Sequence, residues 1–410
     1  MPYTPAVGGV ARVWYLADYL ARHDFEVVVV ASDGHDFGTL GFPELAPGVR
    51  VIYVPDRVKR IMQRQVSVLR TAAAPGNFRS KLLHGLRKVA EKFAFPDFAV
   101  FALPGYYRAL KKEFRSGDVA ALLVSAPAHS LMLLLPAFAG SKKKGTRLFA
   151  DYRDGWNARR IFAAKSWLRG ALARRLEGLV CRKVDHALFA TKAMQANTET
   201  LFPVLRAQDK SLTVMNGYPA SALQEEADAA PVAAFGRFSI GYFGVANDQP
   251  GSYRNIAPIL AALAELKVRG VDFILEMYGD VRVAHTDLAA HDFVVLRGSV
   301  SHHEALACMR RMDCLLMYHM EREGAQEVVT GKFFDYVAAR RPILCVSPRE
   351  MEGARMVEAG GFGRVADFED AEDIRAAFLD IFHGSFVLNT AKSTEYSREA
   401  QYSKLLPLLN

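Results

Sequence analysis

A chain of 410 residues with 51% hydrophobic and 23% charged positions has an ordinary globular composition and room for two domains, each with its own core. Its four cysteines, Cys181, Cys308, Cys314 and Cys345, show neither CxxC nor metal-ligand spacing, which argues against a disulfide framework or a zinc module and fits a reduced, cytoplasmic compartment. Of the 52 basic residues 33 fall in 1–215, with 17 of the 44 acidic ones, so this half carries a surplus of +16 against −8 in the rest. Such a half suits an anionic partner, with anionic lipid on the inner face of a membrane the first candidate and nucleic acid the second.

The opening MPYTPAVGGVARVWYLADYLARHDFEVVVVAS reads as a Gly-bearing loop, an amphipathic helix over 10–22 and a buried strand over 26–31. Met1 is not followed by the basic and then apolar run of a signal peptide. The Gly8-Gly9 pair either lets backbone approach a ligand closely or merely begins the helix. It is not GxGxxG, so a dinucleotide fingerprint is not supported. A strand over 49–54 follows. The stretch 57–114, rich in Lys, Arg and aromatics, reads as amphipathic helices whose basic faces either meet a membrane surface or are simply solvated. No helix-turn-helix or zinc-finger pattern is present.

Residues 119–139 are nearly all apolar, but Pro127, His129 and Pro136 interrupt them, so the reading is a strand, a loop and a second element, not a membrane span. The strand over 120–124 delivers SAPAHS, and His129 stands where ligands bind in parallel α/β sheets. A structural histidine is the plain alternative. LFADYRDGWN places Asp151, Arg153, Asp154 and Trp156 after the next strand. Asp154 beside Arg153 is read either as a cleft acid or as half of a structural ion pair. A helical region over 158–183, the strand HALFAT and the turn TVMNGYP lead to QEEADAAPVAAFG, whose loose composition sets a boundary between domains at 1–217 and 236–390. A helical tail closes the chain over 393–410.

The second half alternates: strand 240–243, helix 257–269, strands 273–278 and 294–296, helix 302–311, strand 314–317. This pattern predicts a parallel sheet covered on both faces. GYFGVANDQPGSYRN sets Gly244 in a loop and carries Arg254. His302 and His303 read as first-turn helix residues, since no third ligand is spaced for metal. EVVTGKFFDYVAARRPILCVS, 327–347, reads as loop, helix and strand. Thr330 is expected to cap a helix beginning at Gly331, with Phe334, Val337 and Ala338 on one face, Arg340 and Arg341 in the last turn, and Pro342 as the stop. Glu327 lies in the loop and Asp335 in the second turn, with free N–H groups and Lys332 between them. A sugar nucleotide suits this spacing, its diphosphate at the helix N-terminus and its hydroxyls on the carboxylates. The plain alternative is a capped helix bearing one Lys and one Asp.

This stretch resembles the carboxylate motif of retaining glycosyltransferases of family 4, Glu, seven residues, Glu, with Asp335 in place of the second Glu. Pro5, Gly8 and Gly9 resemble that family's PP-x-x-GG loop, SAPAHS its PPHS-like turn, DYRDGW its DxRDxW stretch, and LRGSVSHHEAL its base-holding Gly turn. The tail resembles its last helix, which crosses back to the first domain, so the resemblance spans almost the whole chain. It implies an α/β GT-B architecture, two Rossmann-like doubly wound domains facing each other across a cleft. It also implies transfer of a sugar, with retention, from a nucleotide-diphosphate donor to a lipid-linked or polysaccharide acceptor. By residue it implies Glu327 and His129 as catalytic, Gly244, Arg254, Thr330, Gly331, Lys332 and Asp335 as donor-binding, and Gly8, Gly9 and Asp154 as lining the acceptor side. No DxD is evident, and neither a metal nor a cofactor beyond the donor is expected. A non-catalytic sugar-binding or scaffold protein and a nucleic-acid-binding protein remain the readings from other classes. The family's first strand lies mid-sheet and has no counterpart here, so a further apolar strand is expected ahead of Met1.

Overall fold

The computed structural model describes residues 8–33, 44–55, 94–140, 145–158, 166–223, 237–283 and 291–409. Pro5, the basic stretch 56–93 and the loose segment 224–236 lie outside the described residues. The chain divides into two compact units, one built chiefly from Val10–Ala190 and Met194–Thr213, the other chiefly from Val214–Lys404.

In the N-terminal unit the first helix is Gly8–Ala21, so Gly8 and Gly9 already belong to its first turn and the expected loop does not include them. The β-branched run after it gives β1 (Val27–Ser32), which pairs in parallel with β2 (Val49–Val54) from Val27 opposite Val49 to Ser32 opposite Val54. A second parallel sheet has the order β3 (Ala121–Ala126), β4 (Arg147–Tyr152), β5 (His186–Phe189), β6 (Ser211–Thr213). Among the described residues these two sheets share no hydrogen-bonded strand pair. Leu122, Val124 and Ala126 alternate inward along β3 and join Tyr106, Leu110, Leu135, Phe138, Val180 and Cys181 in one core. Pro127 ends the strand as expected. A 3₁₀ turn (His129–Leu133) and a short helix (Leu134–Ala139) follow it, and no described helix is long and apolar enough to cross a membrane.

A buried ion pair ties the first helix to this sheet. Arg12 Nη2 donates to Asp151 Oδ1 at 2.7 Å and its Nε reaches both carboxylate oxygens, while the Ser125 hydroxyl donates to Asp151 Oδ2 at 2.6 Å. Both charged side chains are essentially inaccessible, at 2% and 1%, so each depends on the other for the solvation it lost.

The C-terminal unit holds six parallel strands in the order β11-β9-β7-β12-β13-β14. They are β7 (Phe238–Phe243), β9 (Phe273–Tyr278), β11 (Val294–Gly298), β12 (Cys314–Tyr318), β13 (Ile343–Val346) and β14 (Gly363–Ala366). The short β8 (Ala246–Asn247) and β10 (Val281–Arg282) pair beyond the carboxyl ends of β7 and β9. All six positions of β9 are buried, as in a sheet covered on both faces. Helices Ala257–Val268 and Ala371–Phe382 share one core with it, and helices His302–Arg311, Gly331–Ala339 and Glu352–Gly360 share the other.

Three local expectations are corrected. Every residue from Phe333 to Ala339 is buried, so the Gly331 helix is a central one rather than a surface helix with a single apolar face. It ends at Ala339, and Arg340 takes the left-handed conformation, φ 53°, which puts Arg340 and Arg341 beyond the last turn. Arg341 Nε instead donates to the Arg310 carbonyl at 2.7 Å. The tail is interrupted: a 3₁₀ turn (Ala391–Tyr396) precedes a helix, Arg398–Tyr402, that restarts at Ser397, whose hydroxyl accepts the Ala400 N–H.

Removing Arg12 alone strands a buried carboxylate, so Arg12→Ala should lose about 3–5 kcal/mol of unfolding free energy. The double change Arg12→Met, Asp151→Leu should recover a large part of that loss. Urea unfolding followed by circular dichroism measures both, and a small loss for Arg12→Ala would show that the pair does not hold the helix.

Candidate functional site

The strand order of the C-terminal sheet reverses between β7 and β12, and in doubly wound sheets the crevice beyond the carboxyl ends at such a point is where ligands bind. Here β7 ends on Tyr242 and Phe243 and turns at Gly244, whose φ is +140°. Lys332, the second residue of the Gly331 helix, points back to this turn. Its Nζ donates to the Tyr242 hydroxyl at 2.7 Å and lies 3.9 Å from the Tyr242 ring centre and 5.9 Å from that of Tyr318. The two rings stack at 5.0 Å. Tyr242 donates its own proton to the Val245 carbonyl at 2.6 Å, which leaves its oxygen to accept from the lysine. A Cβ on Gly244 would stand 2.5 Å from Lys332 Cε, so both the backbone angle and the lysine require glycine there.

Tyr318 donates to the Arg254 carbonyl at 3.1 Å and so fixes the second cation of the site, whose guanidinium sits 5.0 Å from the Tyr253 ring centre. Lys332 is half-buried, with its ammonium against the Tyr242 ring. Burial, and then the Arg254 charge, push its pKa down to about 7.

Glu327 ends a 3₁₀ turn, Ala325–Glu327, that starts from left-handed Gly324, and it is 7% exposed. The loop after it is pinned where the Gly353 N–H donates to the Val328 carbonyl at 3.0 Å. Thr330 holds the N-cap position, but its hydroxyl donates to Met317 Sδ at 3.4 Å and makes no cap bond. The expected capping is therefore corrected: the side chain is aimed at β12, away from the first-turn N–H groups that begin with Gly331. Asp335 is buried, and its Oδ1 is 3.3 Å from His302 Nε2. The bond to Asp335 raises the pKa of His302, against the opposing effect of burial. His302 does begin a helix, behind a Ser301–Glu304 capping box, but it also holds the second acid of the motif. Nothing in local spacing points to a partner 33 residues away. Tyr242 and Tyr318 were likewise missed, because aromatics in buried strands read as core.

In the N-terminal unit His129 opens the turn after β3. Its Nε2 is 3.2 Å from the Asp154 carbonyl, and its ring stacks on Trp156 at 5.3 Å. Burial lowers its pKa, only partly offset by that bond, so the imidazole is neutral at physiological pH. Arg153 donates to the carbonyls of Ala126 and Pro127, and Asp151 is engaged by Arg12 and Ser125. Of the residues singled out in the sequence, Gly244 and Lys332 thus meet at one turn, and the charge of Arg254 acts on Lys332. Glu327, Thr330, Gly331 and Asp335 follow along the adjoining loop and helix. His129 and Asp154 meet in the other unit, and Gly8 and Gly9 begin its first helix. Among the described residues no group of three or more His, Cys, Asp or Glu side chains is placed to hold a metal ion.

Two Rossmann-like units of this kind in one chain define the GT-B fold, the architecture of a class of glycosyltransferases. Solved structures match the chain over nearly its full length. A sucrose-phosphate synthase from Thermosynechococcus elongatus matches 97% of this chain and 92% of its own at 13% identity and a TM-score of 0.56. WaaG, a glycosyltransferase involved in lipopolysaccharide biosynthesis, matches 100% and 94% at 11% identity and 0.53. Anabaena HepE, solved with UDP and glucose, matches 99% and 97% at 12% identity and 0.54. No protein-family model and no curated protein matches the sequence. At such identities the likeness speaks for the fold.

The lowered pKa of Lys332 has a stability consequence of definite sign. Unfolded, the lysine titrates near 10.4. Folding therefore works against the ammonium once the pH drops below that value, and the penalty is complete below about 7. Lys332→Met should raise the denaturation midpoint at pH 6 and raise it progressively less as the pH climbs from 7 towards 10. A gain that does not vary with pH would mean that the ammonium is well solvated.

Proposed function

We propose that this protein is a retaining glycosyltransferase that moves a sugar from a nucleotide-diphosphate donor to a lipid-linked or polysaccharide acceptor. One observation carries the reading: Lys332, with Arg254 as its charged neighbour, lies against a glycine turn at the switch point of a parallel sheet, beside a helix start whose N-cap side chain is turned away. This is the chemistry of a diphosphate site. The bond between the anomeric carbon and the diphosphate oxygen breaks, and the diphosphate leaves with the electron pair. The acceptor hydroxyl oxygen bonds to that carbon and passes its proton to the departing diphosphate oxygen. Charge grows on the diphosphate, and cations already in place stabilise it without reorganising.

Glu327, seated in its turn before the helix, accepts hydrogen bonds from hydroxyls of the donor sugar. Asp335, steadied by His302, serves the ribose. Neutral His129, whose Nε2–H donates to the Asp154 carbonyl, presents Nδ1 as an acceptor for a sugar hydroxyl. The resemblance to family 4 supports retention, and the structural neighbours that carry UDP and glucose support a nucleotide-sugar donor. The donor needs no metal in this reading, since lysine, arginine and helix N–H groups supply the positive field.

Donor hydrolysis screened over a panel of nucleotide sugars tests the proposal and separates an enzyme from a sugar-binding scaffold. Glu327→Gln should keep the fold and lower kcat about 10- to 100-fold, the worth of a hydrogen bond to a charged group. Lys332→Ala should weaken nucleoside-diphosphate binding as well as turnover. Hydrolysis of no donor, or full activity in Glu327→Gln, would overturn the assignment.

A further inference from the structure

The helix Trp167–Lys183 of the N-terminal unit breaks the usual rule for a surface helix, because its outward side begins apolar. Trp167, Leu168 and Leu172 are 79%, 60% and 47% exposed, and Ala171 between them is exposed too. Further along, the same outward side carries Arg174, Arg175, Arg182 and Lys183, all exposed. The one acid of the helix, Glu177, is buried and accepts from the Asn157 backbone and side-chain amides. The exposed side is thus an apolar turn and a half followed by cations, with no acid to offset them.

The segment that meets the start of this helix leads into a second basic helix. Arg169 lies 5.7 Å from the Phe95 ring centre, just ahead of the turn Phe98–Ala102 that carries half-exposed Phe101 into the helix Leu103–Ser116. On that helix Arg108, Lys111, Lys112 and Arg115 recur at one-turn spacing and line a shallow basin of about 380 Å³ with Ser116. Glu113, its one acid, is held by Arg50 at 2.5 Å.

We propose that this face docks on an anionic lipid bilayer, with Trp167, Leu168 and Leu172 entering the headgroup boundary and the arginines and lysines meeting lipid phosphates. Exposed tryptophan and leucine favour the interface between water and acyl chains, and each nearby cation adds attraction to an anionic surface. A protein partner would need acids opposite the arginines and a pocket for the indole. A bilayer supplies both without specific fit. The inference is independent of the transferase reading, since vesicle binding and donor hydrolysis are separate measurements.

The test uses the full chain and sedimentation with vesicles of phosphatidylcholine alone or mixed with phosphatidylglycerol. Binding is expected to the mixed vesicles and should weaken as salt rises. The double change Trp167→Ser, Leu168→Ser should lower the affinity at least about tenfold, with an unchanged melting temperature to show that it folds. Arg174→Glu with Arg175→Glu should lower it similarly. Brominated lipid should quench tryptophan fluorescence in the native chain and fail to do so in Trp167→Phe, where Trp14 and Trp156 remain. Any of three results overturns the proposal: no binding to mixed vesicles, binding indifferent to the serine changes and without quenching, or a homodimer in solution that Trp167→Ser dissociates, which would make a second copy the occupant.

Discussion

An ammonium group confined against a tyrosine face, with another cation as its charged neighbour, is the constraint around which the C-terminal unit is arranged. A lysine in this position gains some attraction from the ring and donates a hydrogen bond to the hydroxyl, together worth about 1–3 kcal/mol. Neither gain replaces the water it has lost, and the low pKa expresses that deficit. Two states relieve it: a neutral amine, or an ammonium facing an anion. The surroundings are fixed for the second. Gly244 leaves room for the side chain, Tyr242 is anchored through Val245, and Tyr318 holds the backbone of Arg254. Each of these contacts would be pointless if the lysine were free to swing into solvent.

The helix that bears Lys332 is rigid for an independent reason. Seven consecutive buried residues leave it no solvent side on which to shift, and Tyr336 adds a bond from its hydroxyl to the Leu316 carbonyl at 3.1 Å while accepting the Phe243 N–H at 3.2 Å. One tyrosine thus bridges β7 and β12, the two strands between which the sheet order reverses. The site is a consequence of core packing, since the same helix that fills the space over the sheet delivers Lys332 to the carboxyl edge. In the N-terminal unit the buried Arg12 and Asp151 do comparable work at the end of β4, with Ser125 of β3 as the third member.

Much of this was legible in the sequence wherever the signal was local. Alternation of apolar strands and amphipathic helices placed β7, β9, β11, β12 and β13 within a residue or two, since buried parallel strands are short apolar runs bounded by turn residues. Gly244, Arg254 and Lys332 were readable from their place after strands and at a helix start. What escaped depends on distant partners or on competition between partners. Thr330 had the right residue type and backbone for a cap, yet its hydroxyl found Met317 on a strand below. His302 looked like a helix start because it is one, and only the approach of Asp335 gives it a second role. The strand Gly363–Ala366 carries too few residues to show a period, and its close packing, where a Cβ on Gly363 would stand 1.9 Å from the Ile343 carbonyl oxygen, is invisible until the strands are paired. The continuous helix expected for the tail failed for a similar reason: Ser397 bridges to Tyr218 and caps a new helix instead of prolonging the old turn.

Net charge does not describe how individual cations are surrounded. The C-terminal half is acidic overall, yet it holds Lys332 and Arg254, while several of its other basic residues are engaged by acids. Arg322 is within 3.0 Å of Glu350, Asp367 and Glu369, and Arg349, Arg364 and Arg375 meet Asp373, Asp380 and Glu265. Lys332 and Arg254 instead face tyrosines, which leave their charge uncancelled and, in a medium of low dielectric, long in reach. In the basic half the division runs the other way. Arg12 and Arg153 serve the fold, while the cations along Leu103–Ser116 and Trp167–Lys183 stand at the surface. Exposed cations are screened by water and salt, whereas a charge set against buried rings is screened less. The same residue types therefore act differently in the two halves, and the difference lies in which side chains cancel them.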